Sequence, residues 1–218
     1  MTHSEITAKL RAARLYAILD TGYSDPEYWP ILASQLIKGG VSIIQLRAKN
    51  SNQTEIESWA KKLQPLLAET QTPFVINDYP EIALAVGADI CHIGQDDLSV
   101  AEARKRSGGK IIGKSTHSLA QAQDAQEEGA DYIGFGPLFA TPTKPAYKPI
   151  GIADIASMTQ LIHIPHFCIG GIKLENVAQL KEAGAQRVVI VSGLLKASDP
   201  THYAEQVCTA LEPPGISY

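Results

Sequence analysis

A single (β/α)8 TIM barrel with an extra N-terminal helix, an α/β fold, is predicted from three features of the sequence. Short apolar segments alternate with longer segments of helical pattern, eight times along the 218 residues. The apolar segments are hydrophobic on both faces, which is typical of a parallel sheet covered by helices. The residues are 44% hydrophobic and 19% charged, as expected for one compact domain with a large core. We therefore expect residues 1–218 to form one barrel domain.

The predicted elements alternate strictly once the first helical segment has ended. Residues 1–14 are polar and helical in pattern, without the apolar segment of a signal peptide. Strands are predicted at 15–19, 41–47, 74–77, 89–93, 111–115, 132–135, 166–169 and 187–191. Helices are predicted at 26–38, 54–69, 80–86, 99–106, 119–128, 152–159, 175–181 and 201–211.

Glycine ends four of the predicted helices and leads directly into a strand. The four junctions contain Gly40, Gly87, Gly129 and Gly184. Glycine provides the left-handed residue that a turn from helix to strand needs. An open doubly wound sheet is the alternative fold, but no GxGxxG motif follows the first strand. This absence and the number of repeats favour the barrel.

Composition excludes several classes of protein. The formal net charge is -4 and the only basic cluster, 104–106, lies at a predicted helix end, which argues against a nucleic-acid partner. No apolar run approaches the roughly 20 residues of a membrane span, so we expect a cytoplasmic protein. The three cysteines form no CxxC pair, and we interpret Cys91 and Cys168 as reduced core residues. The oligomeric state stays open, with a homo-oligomer as one alternative.

The ends of the second, third and fourth strands carry charged side chains that are suited to a metal-bound pyrophosphate. Alternation places Gln45, Arg47 and Lys49 on one face, and the cations Arg47 and Lys49 are able to bind phosphate oxygens. Asp78 and Asp97 follow two neighbouring strands, and one or two carboxylates are what Mg²⁺ takes beside substrate phosphates. Each aspartate is also able to serve merely as a helix cap.

The remaining strand ends predict a second anion site, built largely from backbone amides. Ser115 is a candidate hydrogen-bond donor after the fifth strand, and His117 is either an acid–base group or a capping side chain. The sixth strand leads into a long irregular stretch, 137–149, of the kind that is usually functional. The hydroxyl, ammonium and amide donors of the last three strand ends are Thr141, Thr143, Lys144, Gly171, Val191 and Ser192.

A resemblance to a known family is carried by seven segments, which are QLRAK, ND, HIGQDD, STHS, GPLFATPTK, IGGI and VSG. Taken together, they resemble the thiamine-phosphate synthase (thiamine-phosphate pyrophosphorylase) family, in its order and with similar spacing, from residue 15 to about 195. The resemblance implies a (β/α)8 barrel and a transferase of alkyl groups. The implied enzyme joins a pyrimidinylmethyl pyrophosphate to 4-methyl-5-(2-phosphoethyl)thiazole with Mg²⁺, in a dissociative, carbocation-like step.

The resemblance also implies a role for each candidate residue. Gln45, Arg47, Lys49, Asn77, Ser115 and Lys144 would hold the pyrimidine pyrophosphate, and Arg47, Lys49, Ser115 and Lys144 would act in catalysis. Thr141, Thr143, Gly171, Val191 and Ser192 would hold the thiazole phosphate. Asp78 and Asp97 would bind Mg²⁺.

Three other functions remain open at this point. A thiazole tautomerase of the same superfamily would use His117 as a proton shuttle, and it would not need the full set of cations and carboxylates. A phosphosugar isomerase or indole-type synthase would need an acid–base pair, for which Asp20 and His117 are the best candidates. A degenerate barrel acting as a regulatory partner would have lost a metal carboxylate or phosphate lysine, and none is lost.

Overall fold

The computed structural model, which describes residues 1–141 and 148–212, is a closed barrel of eight parallel strands. Neighbouring strands in the sequence are neighbours in the barrel, and the first strand pairs with the last to close it. The predicted fold class is confirmed, and the predicted strand ends lie within about two residues of the observed ones. The strands are β1 Leu15–Asp20, β2 Ile43–Arg47, β3 Phe74–Asn77, β4 Ile90–Ile93, β5 Ile111–Thr116, β6 Tyr132–Phe135, β7 His166–Ile169 and β8 Val188–Ile190.

Helices surround the barrel, and the predicted N-terminal helix precedes it. The helices are α1 His3–Ala12, α2 Trp29–Lys38, α3 Gln53–Glu69, α4 Pro80–Ala85, α5 Val100–Arg106, α6 Leu119–Glu127, α7 Ile155–Leu161, α8 Leu174–Glu182, α9 Ser192–Leu195 and α10 Pro200–Leu211.

Two helical segments differ from the prediction in kind, and the predicted helix 152–159 is observed as Ile155–Leu161. The predicted helix 26–38 is divided, because Pro26–Tyr28 forms a 3₁₀ turn and the α-helix begins only at Trp29, with Pro30 in its first turn. Helix α9 was not predicted, because its four residues are too short to show a helical period.

Glycines adopt the predicted left-handed conformation at the four turns from helix to strand. Their φ angles are 96° at Gly40, 70° at Gly87, 85° at Gly129 and 101° at Gly184. An L-residue with a side chain would be strained at these angles. The sequence repeat therefore corresponds to one repeated backbone turn.

The hydrophobic core has two layers, one inside the barrel and one between the barrel and its helices. The inner layer includes Tyr16, Tyr132 and Phe167, and Ile6 and Leu10 of α1 pack against it at the N-terminal end of the strands. Since successive side chains of a strand alternate between faces, residues two or four positions further along face the same interior. At the other end of the barrel, those positions supply the polar side chains described below.

All three cysteines are free thiols. Cys91 and Cys168 are buried and free, as predicted, and burial raises the pKa of each thiol to about 12, so both stay protonated. Cys208 is half-buried and free. None of the described helices is long and apolar enough to cross a membrane.

The buried His166 at the start of β7 should make stability depend on pH. Its Nδ1 lies 3.2 Å from the Ile164 carbonyl oxygen, and its Nε2 is buried without a partner among the described residues. Burial lowers the pKa of His166, and Arg187 lowers it further. Below pH about 6.5 the unfolded chain therefore binds the proton more readily, and the native state loses stability as the pH falls.

We expect His166→Gln to reduce the fall in unfolding free energy between pH 7.5 and 5.5, as measured by urea denaturation. His163→Gln, an exposed site three residues away, is the matched control and should leave the fall unchanged. An equal fall in the wild type and in His166→Gln would contradict the prediction.

Candidate functional site

A cavity opens at the C-terminal end of the barrel, and all eight strands or the loops that follow them contribute to its wall. Its volume is about 750 Å³, including the space open to solvent at its mouth. Most of the candidate residues from the sequence line it. These are Gln45, Arg47, Asn77, Ser115, His117, Thr141, Gly171, Val191 and Ser192.

Arg47 forms a largely buried ion pair with Asp20 at this end of the barrel. The two residues face each other in the pairing of β1 with β2, and the carboxylate of Asp20 also accepts a 2.8 Å hydrogen bond from the Gly22 amide. Sequence reasoning considered Asp20 only as a partner of His117. The structure instead gives His117 a contact between its ring Nδ1 and the carbonyl oxygen of Gly136. Asp20 is therefore placed to orient the guanidinium.

Asp78 and Asp97 lie close to each other beside Lys49. Asp78 has a left-handed φ of 67°, rare for an aspartate, and its amide donates a 2.8 Å hydrogen bond to the His92 carbonyl. The ammonium of Lys49 is 3.1 Å from the Asp78 carboxylate. Burial raises the pKa of Asp78, and the charge of Asp97 raises it further while that of Lys49 opposes the rise. A positive ion between the carboxylates would relieve both effects.

The donor set at these two carboxylates fits Mg²⁺. One oxygen of Asp97 is engaged by the Gly94 amide at 2.6 Å, so the pair offers a few hard oxygen ligands rather than a complete cage. The described residues contain no cluster of three or more His, Cys, Asp and Glu side chains able to hold a metal. Mg²⁺ characteristically takes one or two carboxylates and completes its shell with water and substrate phosphates.

Ser115 is held between two polar side chains that follow or belong to β4. Its Oγ lies 2.9 Å from His92 Nε2, and its backbone oxygen accepts a 2.6 Å hydrogen bond from the amide of Gln95. Sequence reasoning did not assign a role to His92. Strand alternation was the available signal, because His92 lies two residues after the inward-facing Ile90.

The loops after β6 and β7 are tied together where the backbone-amide site was predicted. Gly170 and Gly171 have φ angles of 97° and 67°, and a Cβ on Gly170 would lie 2.4 Å from Pro137. The amides of Leu138 and Phe139 bond to the carbonyls of Ile169 and Gly170 at 2.9 and 3.0 Å, in a sheet-like contact between the loops. The predicted Thr143 and Lys144 lie outside the described residues.

Lys114 does not enter the cavity, although it directly precedes Ser115. Its ammonium forms a 2.6 Å ion pair with Glu128 at the end of α6. The side chain therefore lies on the outer face of the barrel, as strand alternation requires.

Replacing Asp20 with asparagine should destabilise the protein by about 1.5 kcal/mol, because a buried charge-assisted bond to Arg47 is lost. Asparagine keeps an oxygen able to accept from the Gly22 amide, so the turn itself should persist. Urea unfolding of the variant and wild type measures the difference. Asp25→Asn, at an exposed turn aspartate, serves as the control, and equal losses in both variants would contradict a special role for Asp20.

Comparison with known proteins identifies the family. The family described as Thiamine monophosphate synthase matches residues 15–194. Thiamine-phosphate synthase from Halalkalibacterium halodurans is 44% identical over 209 residues, which cover 95% of this chain and 99% of that protein. Thiamine-phosphate synthase from Chloroflexus aurantiacus is 40% identical over 195 residues, covering 89% and 90% of the two chains.

Solved structures give the same result. Thiamine phosphate pyrophosphorylase from Pyrococcus furiosus superposes with a TM-score of 0.81 at 29% identity, covering 94% of this chain and 97% of that one. A 3-hexulose-6-phosphate synthase, at 18% identity and a TM-score of 0.71, shares the barrel fold alone. The family match over most of the chain and the near-complete coverage of its relatives show that this chain belongs to the thiamine-phosphate synthase family of transferases.

Proposed function

We propose that the chain transfers the 4-amino-2-methyl-5-pyrimidinylmethyl group from its pyrophosphate to the nitrogen of 4-methyl-5-(2-phosphoethyl)thiazole, giving thiamine phosphate and pyrophosphate. The observation that carries this proposal is the grouping of Lys49 and Asp97 with Asp78, which comes directly after Asn77, and Asn77 lines the same cavity as Arg47. Cations and paired carboxylates together suit a pyrophosphate with its metal ion. The cytoplasmic location predicted from the sequence and the possible homo-oligomer stay predictions.

The reaction needs little proton chemistry from the protein. The bond between the methylene carbon and the pyrophosphate oxygen breaks, and the bonding electrons leave with the pyrophosphate. The thiazole nitrogen then forms the new bond to that carbon with its own lone pair and becomes quaternary. Since this nitrogen has no proton to lose, no general base is required, which agrees with the lack of a catalytic triad in the sequence.

The residues around the cavity would act by binding and by electrostatic stabilisation. Arg47 and Lys49 would neutralise charge as it develops on the leaving pyrophosphate, and Ser115 would donate a hydrogen bond to it. Asp78 and Asp97 would hold Mg²⁺, which when bound supplies further positive charge to the pyrophosphate oxygens. Gln45 and Asn77 would position the pyrimidine group, and Lys144 is assigned a phosphate contact by resemblance only.

The thiazole phosphate would occupy the other side of the cavity. The amides of Gly171, Val191 and Ser192 and the hydroxyl of Thr141 are the proposed donors, and all four residues line the cavity. Holding the two substrates in line converts an encounter in solution into a step within one complex. Thr143 is assigned to this site by resemblance only.

The test is formation of thiamine phosphate by the purified full chain from both substrates, with Mg²⁺ and with a chelator. We expect product only with the metal. If no product forms but the thiazole phosphate exchanges protons with solvent, and His117→Ala abolishes that exchange, then the tautomerase is the correct function. His117 lines the same cavity, whereas family membership favours the synthase.

A further inference from the structure

A continuous chain of hydrogen bonds crosses the barrel interior beneath the cavity and joins two of its predicted substrate contacts. The side-chain amide nitrogen of Gln45 lies 3.0 Å from the hydroxyl of Tyr16, which is 3.2 Å from the hydroxyl of Tyr132. That hydroxyl lies 3.0 Å from Nδ1 of His92, and Nε2 of His92 lies 2.9 Å from Oγ of Ser115. The five residues come from five different strands.

Donor chemistry gives this chain a direction. An amide nitrogen only donates, so the Tyr16 oxygen accepts from Gln45 and the Tyr16 hydrogen points to Tyr132. The Tyr132 hydrogen then goes to Nδ1 of His92, which must carry its own proton on Nε2. That proton is donated to the oxygen of Ser115, whose hydroxyl hydrogen remains available to a group in the cavity.

With the Gln45 amide nitrogen facing Tyr16, as it does in the structure, the opposite direction would leave a buried donor unsatisfied. If Tyr132 donated to Tyr16, the Tyr16 hydrogen would have no other acceptor among the residues that the structure describes. Tyr16 and Tyr132 are 2% and 1% exposed, so water cannot readily replace that acceptor. An unsatisfied buried hydroxyl costs roughly 1–3 kcal/mol.

We propose that Tyr16, Tyr132 and His92 are positioning residues that fix the polarity of two substrate contacts, presenting Gln45 as an acceptor and Ser115 as a donor. This inference rests on the proposed function, because an acceptor at Gln45 and a donor at Ser115 are useful only to the two ligand groups that the function supplies. The pyrimidine amino group carries hydrogens and needs an acceptor, whereas a leaving pyrophosphate oxygen carries negative charge and needs a donor.

The surroundings of the two tyrosines support a fixed arrangement. Both rings pack edge-on against Phe167, with ring centroids 5.5 and 5.7 Å away. Burial raises the pKa of both phenols, so each keeps the proton that the chain requires. Because ring packing does not depend on the hydroxyls, phenylalanine substitutions should remove single links and preserve the shape of the barrel.

The first test is the tautomer of His92, read from its ¹⁵N chemical shifts in the full-length protein without substrates. We expect the proton on Nε2. A proton on Nδ1 would mean that the chain runs in the other direction and would overturn the proposal. This measurement does not depend on activity, so its failure is distinct from failure of the proposed function, which would appear as absence of thiamine phosphate.

The second test compares Tyr132→Phe with Tyr16→Phe. Tyr132→Phe removes the donor to His92, and we expect a mixture of His92 tautomers and a roughly tenfold loss of kcat/KM for the pyrimidine substrate, the equivalent of one hydrogen bond. Tyr16→Phe leaves the link from Tyr132 to His92 intact, so the tautomer should persist while binding at the Gln45 end weakens.

In both variants the KM for the thiazole phosphate should stay unchanged, because the hydrogen-bond chain does not reach the predicted site of that substrate. A general loss of structure would instead change the KM for both substrates and lower the melting temperature as well. Wild-type kinetics and an unchanged tautomer in Tyr132→Phe would overturn the proposal.

Discussion

Replacing Asp97 with asparagine should lower kcat by at least about 100-fold at moderate Mg²⁺ concentration. Replacing a residue that only hydrogen-bonds to a metal ligand typically lowers metal affinity or activity 10–100-fold. Asp97 is proposed to contact the ion itself, so its replacement should cost more. Asparagine keeps the shape of the side chain and an oxygen able to accept from the Gly94 amide, so the loop should be preserved. The measurement is the rate of thiamine phosphate formation across a series of Mg²⁺ concentrations, whose half-saturating value should rise.

The control for this variant lies one residue away. Asp96 is exposed and carries the same charge as Asp97, but it is not among the charges that shift the pKa of Asp78. Asp96→Asn should therefore retain nearly full activity at every Mg²⁺ concentration. Equal effects of the two substitutions would show that only the net charge of the loop matters, and would remove Asp97 from the proposed metal site.

The fold could be predicted from the sequence because its local signals agree with its overall architecture. Apolar strands and helical segments repeat eight times, glycine turns mark four of the junctions, and a parallel sheet of that connectivity closes into a barrel. The signals failed where local structure depends on a few residues. The 3₁₀ turn before α2 and the four-residue α9 are both shorter than the window in which a helical period is visible.

The positions of most candidate site residues could be predicted because strand ends converge at one rim of the barrel. Gln45, Arg47, Asn77 and Ser115 follow from alternation along each strand, and the structure places them in one cavity. Their roles in binding and catalysis stay predictions.

What the sequence did not indicate were contacts between side chains of different strands. The pairing of Asp20 with Arg47 depends on strand register, and the contact of Tyr132 with His92 joins residues 40 positions apart. Such contacts are set by how the barrel closes and not by any local pattern. Tyr16, Tyr132 and His92 beneath the site were therefore missed, although each of the three lies in a predicted strand.

Gly113→Ala should destabilise the protein by about 3 kcal/mol, near the upper end of the usual cost of overpacking. Gly113 in β5 lies opposite Tyr132 in β6, and a Cβ at this position would lie 2.1 Å from the tyrosine ring. The ring has little room to move, because it packs against Tyr16, His92 and Phe167. Urea unfolding of the variant and the wild type measures the loss.

The matched control is the same substitution at a neighbouring glycine of the barrel interior. A Cβ on Gly134 would meet its nearest atoms, in His92 and Ile169, at 3.8 and 3.9 Å, which is ordinary packing distance. Gly134→Ala should therefore cost little, and equal costs at the two positions would mean that loss of glycine in a strand, not the tyrosine ring, sets the effect.

Combining Gly113→Ala with Tyr132→Leu should cost less than the sum of the single changes, because the smaller side chain gives up the space that the methyl group needs. A sub-additive result would establish that the missing side chain at position 113 is what admits Tyr132, and with it the hydroxyl that contacts His92.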